Sequence, residues 1–183
     1  MKRKYSVIIL VCLMLCMVGC GNGEEKEYSH MPEIVFLNII SYADVSDGGP
    51  QSAITFYDKE GNHYTSDDAY VCSLPFEQLL QEFENGTIAD KICYHTSCDP
   101  EELLDNYNKL CSLSQDEFEI IHPDLTLDVE ANEEYWYGLY YDQDGNLQYL
   151  ILHERDANQG GDLYADDSRA NEIYEWYLST FQK

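Results

Sequence analysis

Cys93-Tyr94-His95-Thr96-Ser97-Cys98 carries the densest chemistry in the chain. Two thiols and an imidazole in six residues could supply half a zinc site, with Cys111 as a further sulfur ligand. The spacing is looser than that of a zinc finger, and no second cysteine pair of that kind completes the set. Acids beside glycines come next. Asp44 and Asp47 lie beside Gly48-Gly49, Asp156 and Asp162 beside Gly160-Gly161, and Asp166-Asp167 follow. Carboxylates on bent backbone suit a hard cation such as calcium. The same residues also build turns and helix caps. The twelve-residue calcium loop is missing, because Asp142-Gln143-Asp144-Gly145 has its glycine in the wrong place. The metal question is therefore left open by the sequence.

Catalytic motifs are absent. The chain has no Gly-x-Ser-x-Gly, no His-Glu-x-x-His and no phosphate-binding glycine loop, so no catalytic residue and no cofactor is assigned. His153 and Glu154 are neighbours in a strand-like run and point to opposite faces, which argues against a dyad. Glu133-Glu134 reads as a solvated strand start rather than an acid and base. The tyrosines and Trp136 remain. Aromatics with a polar tip serve cores and binding surfaces alike, and those left exposed could line a ligand groove rimmed with acid.

Acid dominates the chain: 35 Asp and Glu against 10 Lys and Arg, a formal charge of −25. Phosphates would be repelled, which excludes nucleic acid as a partner class. A basic patch that docks on anionic headgroups is excluded on the same ground. Charge of this sign suits solubility, metal cations or a cationic partner. Disorder is excluded by 16 Tyr, 6 Phe and 2 Trp, too much aromatic area for a coil.

The first residues form an address. Lys2, Arg3 and Lys4 precede an uncharged apolar run from Tyr5 to Val18, and Gly19 is the small residue a peptidase requires. The run is shorter than the roughly 20 residues that span a bilayer. Met17-Val18-Gly19-Cys20 resembles the lipobox of bacterial lipoproteins. The resemblance covers residues 1–20 and departs from the usual pattern at Met17, where leucine is commoner. It implies removal of residues 1–19, acylation of Cys20 and anchoring on the extracytoplasmic face of the cell membrane. Two acyl chains hold a protein stably where one would be marginal. Loss of Lys2, Arg3 and Lys4 leaves the remainder still more acidic.

Residues 20–32 then read as a lipidated flexible tether, and residues 33–183 as one globular domain. Ile34 to Ile40 is a near-continuous β-favouring run, expected to be a strand buried on both faces. Ile54–Tyr57 and Asn62–Thr65 flank Asp58-Lys59-Glu60-Gly61, a bulged hairpin turn. The device returns as Asp142-Gln143-Asp144-Gly145 between Glu134–Tyr141 and Leu147–His153. Its register sets Tyr141, Leu139, Tyr137 and Tyr135 opposite Leu147, Tyr149, Ile151 and His153. Ser73 to Asn85 has the apolar spacing of a helix through Phe76, Leu79, Leu80 and Phe83. Asp99-Pro100-Glu101-Glu102 starts a second, with Leu103, Leu104, Tyr107, Leu110 and Cys111 inward. Asp166 or Asp167 caps a third, which buries Ala170, Ile173, Tyr174, Tyr177 and Phe181 and turns Glu172 and Glu175 outward. Phe118–Ile121 and Leu125–Val129 complete the strands about His122-Pro123-Asp124. The expected class is α+β: an antiparallel sheet of hairpins with about three helices on one face.

Helix placement ranks the cysteine pairings. If Cys20 is acylated, Cys72, Cys93, Cys98 and Cys111 remain, an even number in an oxidising compartment. Cys98 and Cys111 bracket a helix and stand about 20 Å apart, too far for a bond. The favoured pairing is Cys72–Cys111 with Cys93–Cys98. Cys72–Cys98 with Cys93–Cys111 is the alternative, and free buried thiols are a third outcome. The functional expectation is a membrane-anchored binding module for a cationic peptide, protein segment or solute. A cell-envelope enzyme and an accessory subunit of a membrane complex are the other classes.

Overall fold

Strand β1 (Ile34–Tyr42) is the axis of the molecule. Ile34, Val35, Phe36 and Leu37 are all fully buried, which is why four apolar residues stand in succession. The structure, a computed structural model, describes residues 31–42, 51–114, 120–121, 132–156, 161–165 and 167–181. Antiparallel β2 (Gln51–Asp58) and β6 (Asn132–Tyr141) flank β1. Around them lie β3 (Asn62–Ser66), β4 (Cys93–Ser97), β5 (Ile120–Ile121), β7 (Leu147–Asp156) and β8 (Gly161–Ala165). The described strands form one eight-stranded sheet in the order β4-β3-β2-β1-β6-β7-β8-β5. Every pairing is antiparallel. The fold is α+β, with helices packed on this sheet.

Both hairpin turns are built the same way. Asp58 Oδ1 accepts from the backbone N–H of Glu60 (3.0 Å) and Asn62 (2.7 Å), while Gly61 takes φ 84°. Asp142 Oδ1 accepts from Asp144 and Asn146, both at 2.9 Å, and Gly145 takes φ 81°. A left-handed residue closes each turn, which is why glycine stands there.

Helices form where caps and apolar spacing coincide. The helix expected over Ser73–Asn85 is α2 (Phe76–Glu84), and an unexpected single turn, α1 (Ala69–Cys72), precedes it. Asp68 caps α1 by accepting from Tyr70 and Val71. Ser73 closes α1 instead of opening α2, donating to the Tyr70 carbonyl at 2.8 Å. In α3 (Pro100–Leu113), Asp99 caps the start by accepting from the Glu101 N–H at 2.8 Å. In α4 (Ser168–Phe181), Asp167 accepts from the Arg169 N–H at 2.8 Å.

The helices divide between the two faces of the sheet. Of the three helices expected on one face, α3 and α4 share it and α2 does not. Their core joins Tyr57, Leu103, Tyr107, Leu110, Trp136, Leu152, Ile173 and Tyr177. The Tyr177 hydroxyl donates to the Thr55 carbonyl at 3.1 Å, which ties α4 to β2. α1 and α2 lie on the other face, where Val71, Leu79 and Leu80 meet Leu37, Ile54, Phe56 and Leu139. Alternation along β2 decides which residue serves which core: Phe56 joins the second and Tyr57 the first. Gly138 lies where α3 touches the sheet. A Cβ there would stand 2.4 Å from Leu110 Cδ1.

Two expectations of local detail change. The second hairpin keeps its predicted register at Tyr141–Leu147, Leu139–Tyr149 and Tyr137–Ile151. A shift between Trp136 and Tyr137 then sets His153 opposite Trp136 and not Tyr135. His153 is thereby buried and stacks on Tyr174, 3.9 Å between centroids and 6° between planes. Leu104 is 48% exposed, because the buried stripe of α3 runs through Leu103, Tyr107 and Leu110 instead.

The disulfide expectations fail on geometry, and Cys72, Cys93, Cys98 and Cys111 are not joined in disulfides. Cys93 opens β4 and Cys98 follows its end. Five residues of extended chain keep them about 16 Å apart. Cys72 packs with the core on one face, and Cys98 and Cys111 with the core on the other, so the sheet stands between them. Cys93 lies on an edge strand, four strands from the β6 that carries α3. The leader 1–19, Cys20, Asp44, Asp47, Asp166, the turn at 122–124 and the strand expected at 125–129 lie outside the described residues. No helix among the described residues is long and apolar enough to cross a membrane.

Candidate functional site

The cysteines do not make a reactive site. Burial pushes the Cys98 thiol up to about 11, and the nearby acids Glu102, Asp58 and Asp99 add to that. Burial likewise raises Cys72 and Cys111. A thiol held protonated is a poor nucleophile and a poor metal ligand. No group of three or more His, Cys, Asp or Glu side chains converges to hold a metal ion among the described residues. His95 Nε2 lies 2.7 Å from Thr65 Oγ1, a bond across the β3–β4 pair. Asp162 stands opposite Arg155 and Asp156 opposite Gly161, so these two belong to the β7–β8 ladder. Asp167 is engaged in the α4 cap and pairs with Arg169 at 2.6 Å. Trp136 is core, 6% exposed, packed edge-on against His153 and Tyr174.

An aromatic cluster with Tyr149 as its exposed member lies on the other face of the sheet. Phe76, Tyr137 and Tyr149 meet edge to face at 5.0–5.7 Å, and Tyr135 stacks on Tyr137 at 6.1 Å. Burial pushes the Tyr137 hydroxyl up to about 12, and the neighbouring Tyr135, Tyr149 and Glu154 add to the shift. These rings pack on one another, with Glu154 as a neighbouring acid.

Acid and aromatic meet instead between α3 and α4. Glu102, Asp105, Asn106 and Lys109 recur at i, i+3, i+4 and i+7 along α3. Ser168, Asn171, Glu172, Glu175 and Trp176 follow a matching stripe on α4. Residues at these spacings share one side of a helix. The chains run antiparallel, since Glu102 meets Trp176, Lys109 meets Glu172, and Ser112 meets Arg169. Together the two stripes line a groove of about 600 Å³.

Four carboxylates face one ammonium in this groove. Lys109 Nζ lies 3.1 Å from Asp105 Oδ2 and 3.2 Å from Glu172 Oε2. Burial works against the Lys109 charge, but the two carboxylates outweigh it and hold the ammonium above the usual lysine range. Trp176 Nε1 donates to Glu102 Oε2 at 3.3 Å, which fixes the indole beside a carboxylate. Asn106 lines the groove and is 4% exposed. Its Nδ2 donates to the Glu102 carbonyl at 2.8 Å, and this orients the amide. Its Oδ1 is buried with no hydrogen-bond partner among the described residues. A buried acceptor left unpaired costs about 1–3 kcal/mol, so the position favours a donor that arrives from outside.

The arrangement can hold a cation. It contains acids, an indole and a buried acceptor without a partner. Glu172 and Glu175 were legible as outward-facing, but the groove expected of the tyrosines and Trp136 is not the one found: no tyrosine among the described residues lines it, and Trp136 is core. Trp176, Asn106 and Lys109 were missed. Their spacing matches the acidic stripe, but the burial of Asn106 depends on the neighbouring helix. No protein-family model matches the chain, and neither the curated proteins nor the solved structures contain a significant match.

Proposed function

We propose that the chain is a lipid-anchored, extracytoplasmic module that binds a cationic ligand in the α3–α4 groove. The observation that carries this is the convergence of Glu102, Asp105, Glu172 and Glu175 beside Trp176, with Lys109 already bound between two of those acids. The lysine shows the chemistry that an incoming cation would repeat. A negative chain attracts cationic partners over distance, and a tether at Cys20 would keep the groove near the membrane surface.

Two experiments test the two parts. Titration of the purified protein with a lysine- and arginine-containing peptide should give binding that weakens from low to high salt. Loss of that binding in the Glu102→Gln/Glu175→Gln double variant would locate it in the groove. Absence of binding at low salt would end the reading. For the anchor, cells expressing the chain should incorporate labelled palmitate, and Cys20→Ala should remove the label and release the protein from the membrane fraction.

A further inference from the structure

We infer that the groove selects a guanidinium group, the side chain of arginine in a peptide, over an alkylammonium. This rests on the cation-binding reading and specifies the ligand for the same site. The position best suited to a compact ammonium is already filled: Lys109 Nζ contacts Asp105 and Glu172 at 3.1 and 3.2 Å. The rest of the groove offers Glu175, Glu102 with one oxygen on the Trp176 indole, the half-buried Trp176 ring backed by Phe36 and Tyr57, and the buried, unpaired Oδ1 of Asn106 in the wall.

These acceptors and this surface match a flat, forked donor. A guanidinium presents five N–H groups in one plane and stacks on an indole. It can donate to a carboxylate and to the Asn106 amide oxygen at once while its face lies on Trp176. A quaternary ammonium carries no N–H and would leave Asn106 Oδ1 unsatisfied. A lysine ammonium donates from a point and gains less from the ring. Divalent metal is a poorer match, because no three metal-ligating side chains converge among the described residues.

Tripeptides of arginine, lysine and trimethyl-lysine, titrated calorimetrically into the whole protein, test the inference. Tri-arginine should bind about tenfold tighter than tri-lysine, the effect of one additional hydrogen bond to a charged group. Trimethyl-lysine should bind more weakly than both. Asn106→Leu should lower arginine affinity toward that of lysine, and Trp176→Leu should weaken both, arginine more. Equal affinities for arginine and lysine on the unaltered protein would overturn the selectivity and leave cation binding intact. Failure of all three peptides would overturn both. Because the unaltered protein carries the deciding comparison, a misfolded variant does not rescue the inference.

Discussion

The two faces of the sheet are furnished differently. One carries α3 and α4, each of 14 residues, with acid along their outer stripes. The other carries α1, of 4 residues, and α2, of 9, and leaves Tyr149 more than half exposed. A helix buries one stripe and holds another clear of the sheet, so acids on neighbouring helices can converge. A strand sets its outward residues flat on the sheet, where tyrosines meet one another first. The acidic groove and the tyrosine cluster thus differ in the geometry beneath them as much as in composition.

The largest expected effect comes from cutting each face from its core. Leu110→Ala should cost about 3 kcal/mol in denaturant unfolding, since Leu110 is fully buried against Gly138. Leu79→Ala, fully buried on the other face, should cost a similar amount. Peptide binding under folding conditions should fall only in Leu110→Ala. Equal loss of binding in both would break the distinction between faces.

Acid should expose a buried imidazole beside the same core. Burial lowers His63 from 6.5 to about 4, and His95 lowers it further in the same direction. The unfolded chain takes up the proton near pH 6.5 and the folded chain only near pH 4. Stability present above pH 6.5 is therefore lost as pH falls toward 4, by up to about 3 kcal/mol. His63→Phe should flatten this part of the pH–stability curve, and an unchanged slope would show that other groups set it.

Smaller effects refine the helix face. Gly138→Ala should destabilise by about 2 kcal/mol, because the new methyl collides with Leu110 and α3 must shift. Thermal melts would register this, and a neutral result would mean that the α3–sheet contact yields easily. Lys109→Gln should change stability by no more than about 0.5 kcal/mol, as exposed ion pairs contribute little. It should tighten peptide binding about threefold by freeing Asp105 and Glu172. Weaker binding would show that Lys109 organises the groove instead of competing for it.

Much of the fold was legible in local chemistry. The Asp-x-x-Gly turns, the Asp99-Pro100 start and the apolar run of β1 each satisfy their own backbone. Misreadings arose from competing local chemistry and, at His153, from a distant element. Asp68 and Ser73 cap an unexpected turn, α1, so that α2 begins only at Phe76. A bulge turns His153 inward against Tyr174 on α4, and an extended β4 separates Cys93 from Cys98. The groove was expected among the tyrosines and Trp136, and none of those described lines the one between α3 and α4. Its location was not legible, because Glu102 reads locally as a helix-start residue.

By itself the sequence determined the acidic charge, the α+β class, both bulged hairpins and the outward stripe of α4. These follow from composition, from period, and from backbone groups satisfied within a few residues. Tertiary structure alone decided which face each helix covers, that all four described thiols stay apart, and that Asn106 is buried with a free acceptor beside Trp176. Burial is a property of two surfaces in contact. A helix specifies only its own surface, and the antiparallel approach of α3 and α4 supplies the other.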